Sequence, residues 1–321
     1  MKCILSRSKD PFFNLAAEEY LLKHFEEDIY FQYINSPSVI IGKHQNALSE
    51  VHLEYLEKKH IMLARRITGG GAVFHDEGNI NYSFITNEIP GDFIQFKKYT
   101  QAIIAYLKKH GVNATLGKRN ELLAGDKKIS GTASHVFKRR VLHHGTLLFN
   151  TDLSMLSKCL NVKRDRYIDK AVKSISSEVI NLKDMLDENM DVASFTNLLF
   201  QDILNSEKIN LNAEFSEKDT ASINTLREEK FSRWEWNFGY SPKYIFERSA
   251  SYKNSNFLIK TSVNKGRIDD ISIDGNLPDA DFGRLVKKLI GINHSREIIK
   301  DRCLSLSADK AIIKLIMDCI Y

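Results

Sequence analysis

The residues best suited to chemistry in this chain are two arginines followed by three glycines. Arg65-Arg66-Ile67-Thr68-Gly69-Gly70-Gly71-Ala72-Val73-Phe74-His75-Asp76 joins two short apolar runs, 61–64 and 72–74. Runs of this length read as buried strands. Glycine loses more backbone freedom on folding than any other residue, so three in a row are costly. A chain keeps them where positive φ is needed or where a ligand lies against bare backbone. The guanidinium groups beside them offer fixed charge and forked donors suited to carboxylate or phosphate. The pattern supports a strand–loop–strand that cradles an anion. A glycine-rich hairpin turn with two surface arginines fits the same residues.

A second candidate is a lysine within a run of small residues. Gly125-Asp126-Lys127-Lys128-Ile129-Ser130-Gly131-Thr132-Ala133-Ser134 opens on turn chemistry, and Lys128 precedes a segment where backbone could approach a ligand. Taken alone, Lys128 reads better as a solvated hairpin lysine than as a ligand-binding one. Gly117-Lys118-Arg119-Asn120-Glu121 is another basic turn just before it. Residues 141–149 predict a long strand holding His143 and His144. A histidine in an apolar strand is more often a core residue than a catalyst, and no serine or carboxylate is placed to complete a triad. Lys43-His44-Gln45-Asn46 reads either as pocket lining, through Gln45 and Asn46, or as a surface turn.

These groups need elements to hold them. Pro11 near a helix start sacrifices no hydrogen bond, and the apolar spacing behind it predicts a helix over 11–27. Residues 28–33 and 39–42 read as strands joined by Asn35-Ser36-Pro37-Ser38, which predicts a hairpin. A short helix over 51–60, an alternating strand over 80–85 and a helix over 94–110 closed by Gly111 follow. After Asp152 the period turns helical, with amphipathic helices expected over 181–205 and 216–230. Residues 163–177 read as a basic, serine-rich loop. Trp234 and Trp236, two apart, would share one face of an extended covering segment. Strands over 244–248, 256–263 and 267–273, a hairpin signal at Asn264-Lys265-Gly266, and helices over 279–290 and 308–320 suit a small α+β domain.

Bulk properties narrow the function classes. A hydrophobic content of 43% with 27% charged residues is that of a soluble globular chain, so disorder is not expected. The net charge of +5 is too weak and too dispersed to argue for nucleic acid as a partner. Cys3, Cys159, Cys303 and Cys319 lack CxxC pairing, which argues against a zinc site or a disulfide framework. The N-terminal residues lack the apolar core of a signal peptide, and no apolar run approaches the roughly 20 residues of a membrane span. The expectation is a cytoplasmic protein with no membrane partner, built as one large domain and a small one.

Five stretches, in order, resemble the lipoate–protein ligase family over nearly the whole chain. Residues 65–76 look like its RRxS/TGGGAVxHD segment, continued by Gly78-Asn79. Lys128-Ile129-Ser130-Gly131 looks like its KxSG lysine motif, and 143–148 like its HHGTLL strand. Residues 173–182 resemble its K-S-V-x-S-R-V-x-N-L loop, and 234–242 its W-x-W-x-x-G-x-x-P segment. The resemblance implies an α+β fold. A large catalytic domain (1–245) would carry mixed and antiparallel sheets flanked by helices, as in biotin/lipoate ligases and class II synthetases. A small C-terminal α+β accessory domain (246–321) would follow.

The resemblance also implies a two-step reaction. Lipoate or octanoate reacts with ATP–Mg²⁺ to give an acyl-adenylate and pyrophosphate. A lysine of an acceptor then takes the acyl group, the acceptor being a lipoyl domain of 2-oxoacid dehydrogenase E2 subunits or the glycine-cleavage H protein. Lys128 would be the catalytic residue, binding acyl carbonyl and phosphate oxygens. Arg66, Gly71, Ala72, Val73, Phe74, Gly131, Thr132 and Ala133 would border ATP and the adenylate, with Arg66 on a phosphate. Gly70, Asn79 and His144 would line the lipoate pocket. Glu121 stands where the family commonly has Asp and would be the Mg²⁺ ligand; Glu178 stands where the family loop commonly has Arg. An acyltransferase of the same fold would need an activated cysteine, for which Cys159 is the candidate near the motifs. A biotin ligase would carry GRGRxGR, which is absent. A non-catalytic binding module for lipoyl domains is the remaining alternative.

Overall fold

The computed structural model describes residues 1–88, 95–160, 164–186, 190–206, 211–252, 255–275, 280–307 and 309–321. The chain forms two compact units. The first comprises Met1–Lys43, His52–Leu160 and Ser174–Arg233, and the second His44–Val51, Asn161–Lys173 and Trp234–Tyr321.

In chain order the strands are β1 (Lys2–Leu5), β2 (Ile29–Ile34), β3 (Ser38–Ile41), β4 (Met62–Arg65), β5 (Val73–His75), β6 (Asn79–Asn87), β7 (Ala114–Leu116), β8 (Leu122–Ala124), β9 (Lys127–Ser130), β10 (Thr132–Phe137), β11 (Arg140–Leu148), β12 (Tyr167–Asp169), β13 (Leu211–Ala213), β14 (Tyr244–Tyr252), β15 (Ser255–Asn264) and β16 (Arg267–Gly275). The helices are α1 (Pro11–His24), α2 (Ala47–Glu50), α3 (Leu53–Lys59), α4 (Phe96–Lys109), α5 (Leu153–Cys159), α6 (Val192–Asn205), α7 (Glu217–Leu226), α8 (Ala280–Lys287), α9 (Arg296–Leu306) and α10 (Lys310–Ile320).

In the first unit a sheet ordered β10-β11-β6-β2-β1-β13 forms the floor, with two smaller sheets, β4-β3-β5 and β7-β8-β9, beside it. Tyr30, Phe84, Tyr99, Ile103, Tyr106, Phe149, Phe195 and Leu199 join the large sheet to α4 and α6 in one apolar cluster. Helix α1 starts where the Asp10 carboxylate caps Phe12 N at 2.8 Å and Pro11 takes the first turn. It buries Leu15, Ala16, Ala17, Leu21 and Leu22, and also Glu18 and Glu19.

In the second unit β12-β14-β15-β16 make an antiparallel sheet. Its alternation buries Tyr244, Phe246, Phe257, Ile259 and Val263, and α10 buries Ile312, Ile316 and Ile320. The expected hairpin at Asn264-Lys265-Gly266 forms with positive φ at Lys265 (49°) and Gly266 (73°).

The α+β architecture is borne out, and several local expectations are corrected. The strands over 28–33 and 39–42 do not form a hairpin. β2 pairs with β1 and β6, whereas β3 pairs with β4 and β5. The turn residues between them carry the chain from one sheet to another. The tryptophan segment is helical, with Glu235–Gly239 in a wide helical turn. Trp234 stacks on Phe238 and Trp236 meets Tyr240, each four residues on. The helix expected over 181–205 is broken. A short turn at Leu182–Met185 ends at extended Leu186, and α6 starts anew after the Asp191 cap, with 187–189 outside the described residues. Part of the loop expected over 163–177 is β12, while β1 and α9 lay outside the expectations. Residues 94, 163, 279 and 308, each an end of an expected segment, lie outside the described residues.

Candidate active site

The glycine loop is not a hairpin turn. The strands on either side of it, β4 and β5, do not pair with each other. Both flank β3, β4 in parallel and β5 antiparallel. The loop therefore crosses the end of β3, over Gly42. A Cβ on Gly42 would collide with the Gly70 carbonyl oxygen, so the two backbones touch. Gly70 has φ +91°, which glycine tolerates. Arg65, fully buried, donates from Nη1 to the Gly42 and Lys43 carbonyls at 3.1 and 3.0 Å.

Arg66 is turned onto its own loop. Nε donates to Thr68 Oγ1 (2.9 Å) and Gly69 O (3.2 Å), Nη2 to Gly69 O (2.6 Å) and Gly71 O (2.8 Å), and Nη1 to Ile40 O (3.1 Å). One Nη1 hydrogen remains. Burial lowers the guanidinium pKa to about 10, with Glu18 and Tyr33 opposing the shift. In a trans peptide the N–H points opposite to the C=O. Capture of the Gly69 and Gly71 carbonyls therefore turns the Gly70 and Ala72 amides to the other side. The Ala72 amide donates to Ser174 Oγ at 2.8 Å.

A buried chain continues from Arg66. Thr68 Oγ1 lies 2.8 Å from His144 Nε2, and His144 Nδ1 lies 2.9 Å from Glu18 Oε1. Glu18 also accepts from Ser83 Oγ (2.6 Å) and Tyr33 Oη (3.1 Å). Arg66 donates to Thr68 Oγ1, and the histidine ring joins Thr68 to Glu18 with one nitrogen on each. The chain links a cation and a carboxylate through a histidine. Glu18 escaped the sequence reading; the signal for it is a Glu18-Glu19 pair inside an apolar helix. On the far side, His75 Nδ1 meets Asn35 Nδ2 at 3.0 Å while Nε2 is buried without a partner. Burial, with Arg66 and His144 adding to it, lowers the His75 pKa to about 3.

Lys128 sits on β9, opposite Leu123 of β8. Segment 178–180 runs along it, with Lys128 N donating to Glu178 O at 2.9 Å and Ile180 N to Lys128 O at 3.1 Å. Its side chain folds back over Gly131, where an added Cβ would lie 3.2 Å from Nζ. No hydrogen bond or ion pair to Nζ is made among the described residues. Burial holds its pKa below the usual lysine range; Glu121 pushes upward, Arg119 and Arg66 downward. An unpaired, partly desolvated cation over bare backbone is suited to an incoming anion.

The remaining candidates surround this centre. Thr132 Oγ1 donates to Asn120 O, and Ala133 pairs across to His144. Val73 and Phe74 pair with Ile40 and Val39, and the Phe74 ring is buried. Asn79 is buried, donates to Asn81 Oδ1 at 3.1 Å, and keeps Oδ1 without a partner. Glu121 Oε2 accepts from Arg119 N at 2.8 Å. Among the described residues no group of three or more His, Cys, Asp or Glu could hold a metal ion. Mg²⁺ does not require one, since it binds through one or two carboxylates with substrate phosphates and water; a single carboxylate in the field of Lys128 fits that mode. Cys159 is fully buried, and burial raises its thiol to about 11 with Asp152 adding to the shift, so it is not an activated nucleophile. No helix of the described residues is long and apolar enough to cross a membrane.

A glycine loop braced by a buried arginine, and a lysine unpaired among the described residues over Gly131, define a class before any particular relative. Residues 10–204 match the family described as the lipoyl protein ligase A/B catalytic domain. The lipoate-protein ligase LplJ of Bacillus subtilis is 38% identical over 297 residues, covering 91% of this chain and 90% of that one. A bipartite lipoate protein ligase from Thermoplasma acidophilum, solved as part of a system with its E2 lipoyl domain, has a TM-score of 0.64 and 30% identity over 74% of this chain and 96% of that one. A lipoate-protein ligase A bound with ATP has a TM-score of 0.64 and 31% identity over 74% of this chain and 98% of that one. The chain belongs to the lipoate–protein ligase family, and is an enzyme.

Proposed function

We propose that this enzyme activates lipoate or octanoate with ATP and passes the acyl group to a lysine of a lipoyl domain. A carboxylate oxygen of the acid attacks the α-phosphorus, the bond to the β-phosphate breaks, and pyrophosphate leaves. The acceptor amine then attacks the acyl carbonyl, loses a proton, and expels AMP. Neither step needs a protein nucleophile; both need fixed charge and alignment.

The observation that carries this reading is the Lys128 ammonium, unpaired among the described residues, above Gly131. It would hold the acyl carbonyl and the α-phosphate oxygens and draw electrons from each centre under attack. Arg66 would fix the loop and lend its charge and one remaining donor. The backbone of Gly71, Ala72, Val73 and Phe74 would border the adenylate, with Gly131, Thr132 and Ala133 on the other wall. Gly70, Asn79 and His144 would flank the acid. Mg²⁺, held by Glu121 and phosphate oxygens, would offset phosphate charge. Residues 1–245 would carry both steps and 246–321 would assist. The relatives' names and the ATP-bound and lipoyl-domain structures support these substrates. Acceptors would be E2 lipoyl domains or the H protein of the same cytoplasm.

The test is intact mass of a lipoyl domain incubated with enzyme, lipoate, ATP and Mg²⁺. A gain of one lipoyl group that requires ATP is expected. No gain, or a gain without ATP, sinks the reading.

A further inference from the structure

The glycine loop leaves a charge problem unsolved. A nucleoside triphosphate brings several negative charges, and its β- and γ-phosphates depart together. Arg66 has one free N–H, because the backbone takes the others. Lys128 is a single cation. Mg²⁺ at Glu121 would offset part of the triphosphate charge, and the departing pyrophosphate would still carry enough to engage a further fixed cation.

We propose that Arg119 receives the pyrophosphate end of the triphosphate during adenylation. This rests on the adenylation reading above. The turn carrying Arg119 is held tightly. Gly117 N donates to Glu121 O at 2.7 Å, Asn120 N donates to Gly117 O at 3.1 Å, and Asn120 takes φ +63°. The Glu121 carboxyl packs against Gly117, where an added Cβ would lie 2.8 Å from its carbon. Glu121 Oε2 accepts from Arg119 N at 2.8 Å, and Oε1 lies 3.5 Å from Arg119 Nε. Arg119 Nη2 donates to Ser177 Oγ at 3.1 Å. The Thr132 hydroxyl bonds the Asn120 carbonyl, tying this turn to the residue after Gly131.

The guanidinium is thus aimed but not saturated. Its side chain is 48% exposed, and Nη1 makes no hydrogen bond among the described residues. A planar fork suits two phosphate oxygens at once. The placement divides the labour. Lys128 attends the α-phosphate, which stays with the acyl group. Arg119 attends the pyrophosphate, which leaves. Only the first half-reaction would then feel Arg119.

Separate assays of the two half-reactions test this. Loss of a charge-assisted contact predicts that Arg119→Ala lowers kcat/KM for ATP in lipoyl-AMP formation by about 30- to 100-fold. Transfer from supplied lipoyl-AMP to a lipoyl domain should stay within about 2-fold of wild type, which also shows that the variant is folded. Inorganic pyrophosphate should inhibit the variant at least about 10-fold more weakly, AMP equally well, and Arg119→Lys should recover part of the loss. Wild-type ATP kinetics and pyrophosphate inhibition in Arg119→Ala would overturn the assignment. Equal losses in both half-reactions would overturn it too, by pointing to a structural role. If wild-type enzyme makes no lipoyl-AMP at all, the functional reading falls, and this assignment with it.

Discussion

At the scale of the residue, Lys128 and Arg66 have exchanged weight. Both are motif cations, yet Arg66 is consumed by its own loop while Lys128 Nζ, lying over Gly131, makes no hydrogen bond or ion pair among the described residues. Lys128→Ala should therefore lose lipoyl-AMP formation by about 100- to 1000-fold, the range for removing a preorganised electrostatic group. A variant that still makes adenylate at the normal rate would reject its role. The lysine also predicts a pH effect. Burial lowers its pKa, so the charged form is lost below the usual lysine range, and adenylation should fall on the alkaline side earlier than ordinary lysine titration allows. Glu121 opposes that shift. Glu121→Gln should move the alkaline limb to still lower pH, and an unmoved limb would show that the two side chains are not coupled. Thr68 has a different part. Thr68→Val removes a hydrogen-bond partner from His144 and an acceptor from Arg66, and a thermal melt should report a loss of about 1–3 kcal/mol.

At the scale of the element, the support of the loop lies outside the motif. Gly42 ends β3 and bears directly on Gly70. Gly42→Ala should lower stability by about 1–3 kcal/mol, as overpacking does, and slow adenylation with it. Full activity in a destabilised Gly42→Ala would mean that the loop tolerates displacement. Sequence alone could reach the motif residues because each motif is local, and the alternation of 244–273 gave the second sheet for the same reason. It could not reach β3. Asn35-Ser36-Pro37-Ser38 has turn chemistry, but turn chemistry does not say which sheet the next strand joins. Two tryptophans two apart suggested an extended face; the pairs that formed are four apart, Trp234 with Phe238 and Trp236 with Tyr240. Nor could spacing show that Arg66 would be taken up by carbonyls, because that depends on the path of the glycines.

At the scale of the whole molecule, each compact unit holds a histidine that burial keeps neutral. In the first, His75 accepts from Asn35, which also bonds Asn14 of α1, and its pKa falls to about 3. In the second, His294 joins the Tyr244 hydroxyl to the Ile320 carbonyl, and burial lowers it to about 4 against the pull of that carbonyl. The unfolded chain titrates both near 6.5. Below that value the unfolded state binds protons that the folded state refuses. Stability is therefore fully present above about 6.5 and is lost as pH falls toward the folded values, by up to about 1.4 kcal/mol per histidine per pH unit. Between pH 6.5 and 5 each site should remove about 2 kcal/mol, a large part of the about 5–15 kcal/mol that typically holds a domain together. Denaturant unfolding at pH 7, 6 and 5 would measure it. The His75→Leu, His294→Leu double variant should start less stable, through the lost Asn35 and Ile320 bonds, yet lose less on acidification. The same slope in variant and wild type would assign the acid sensitivity to carboxylates instead.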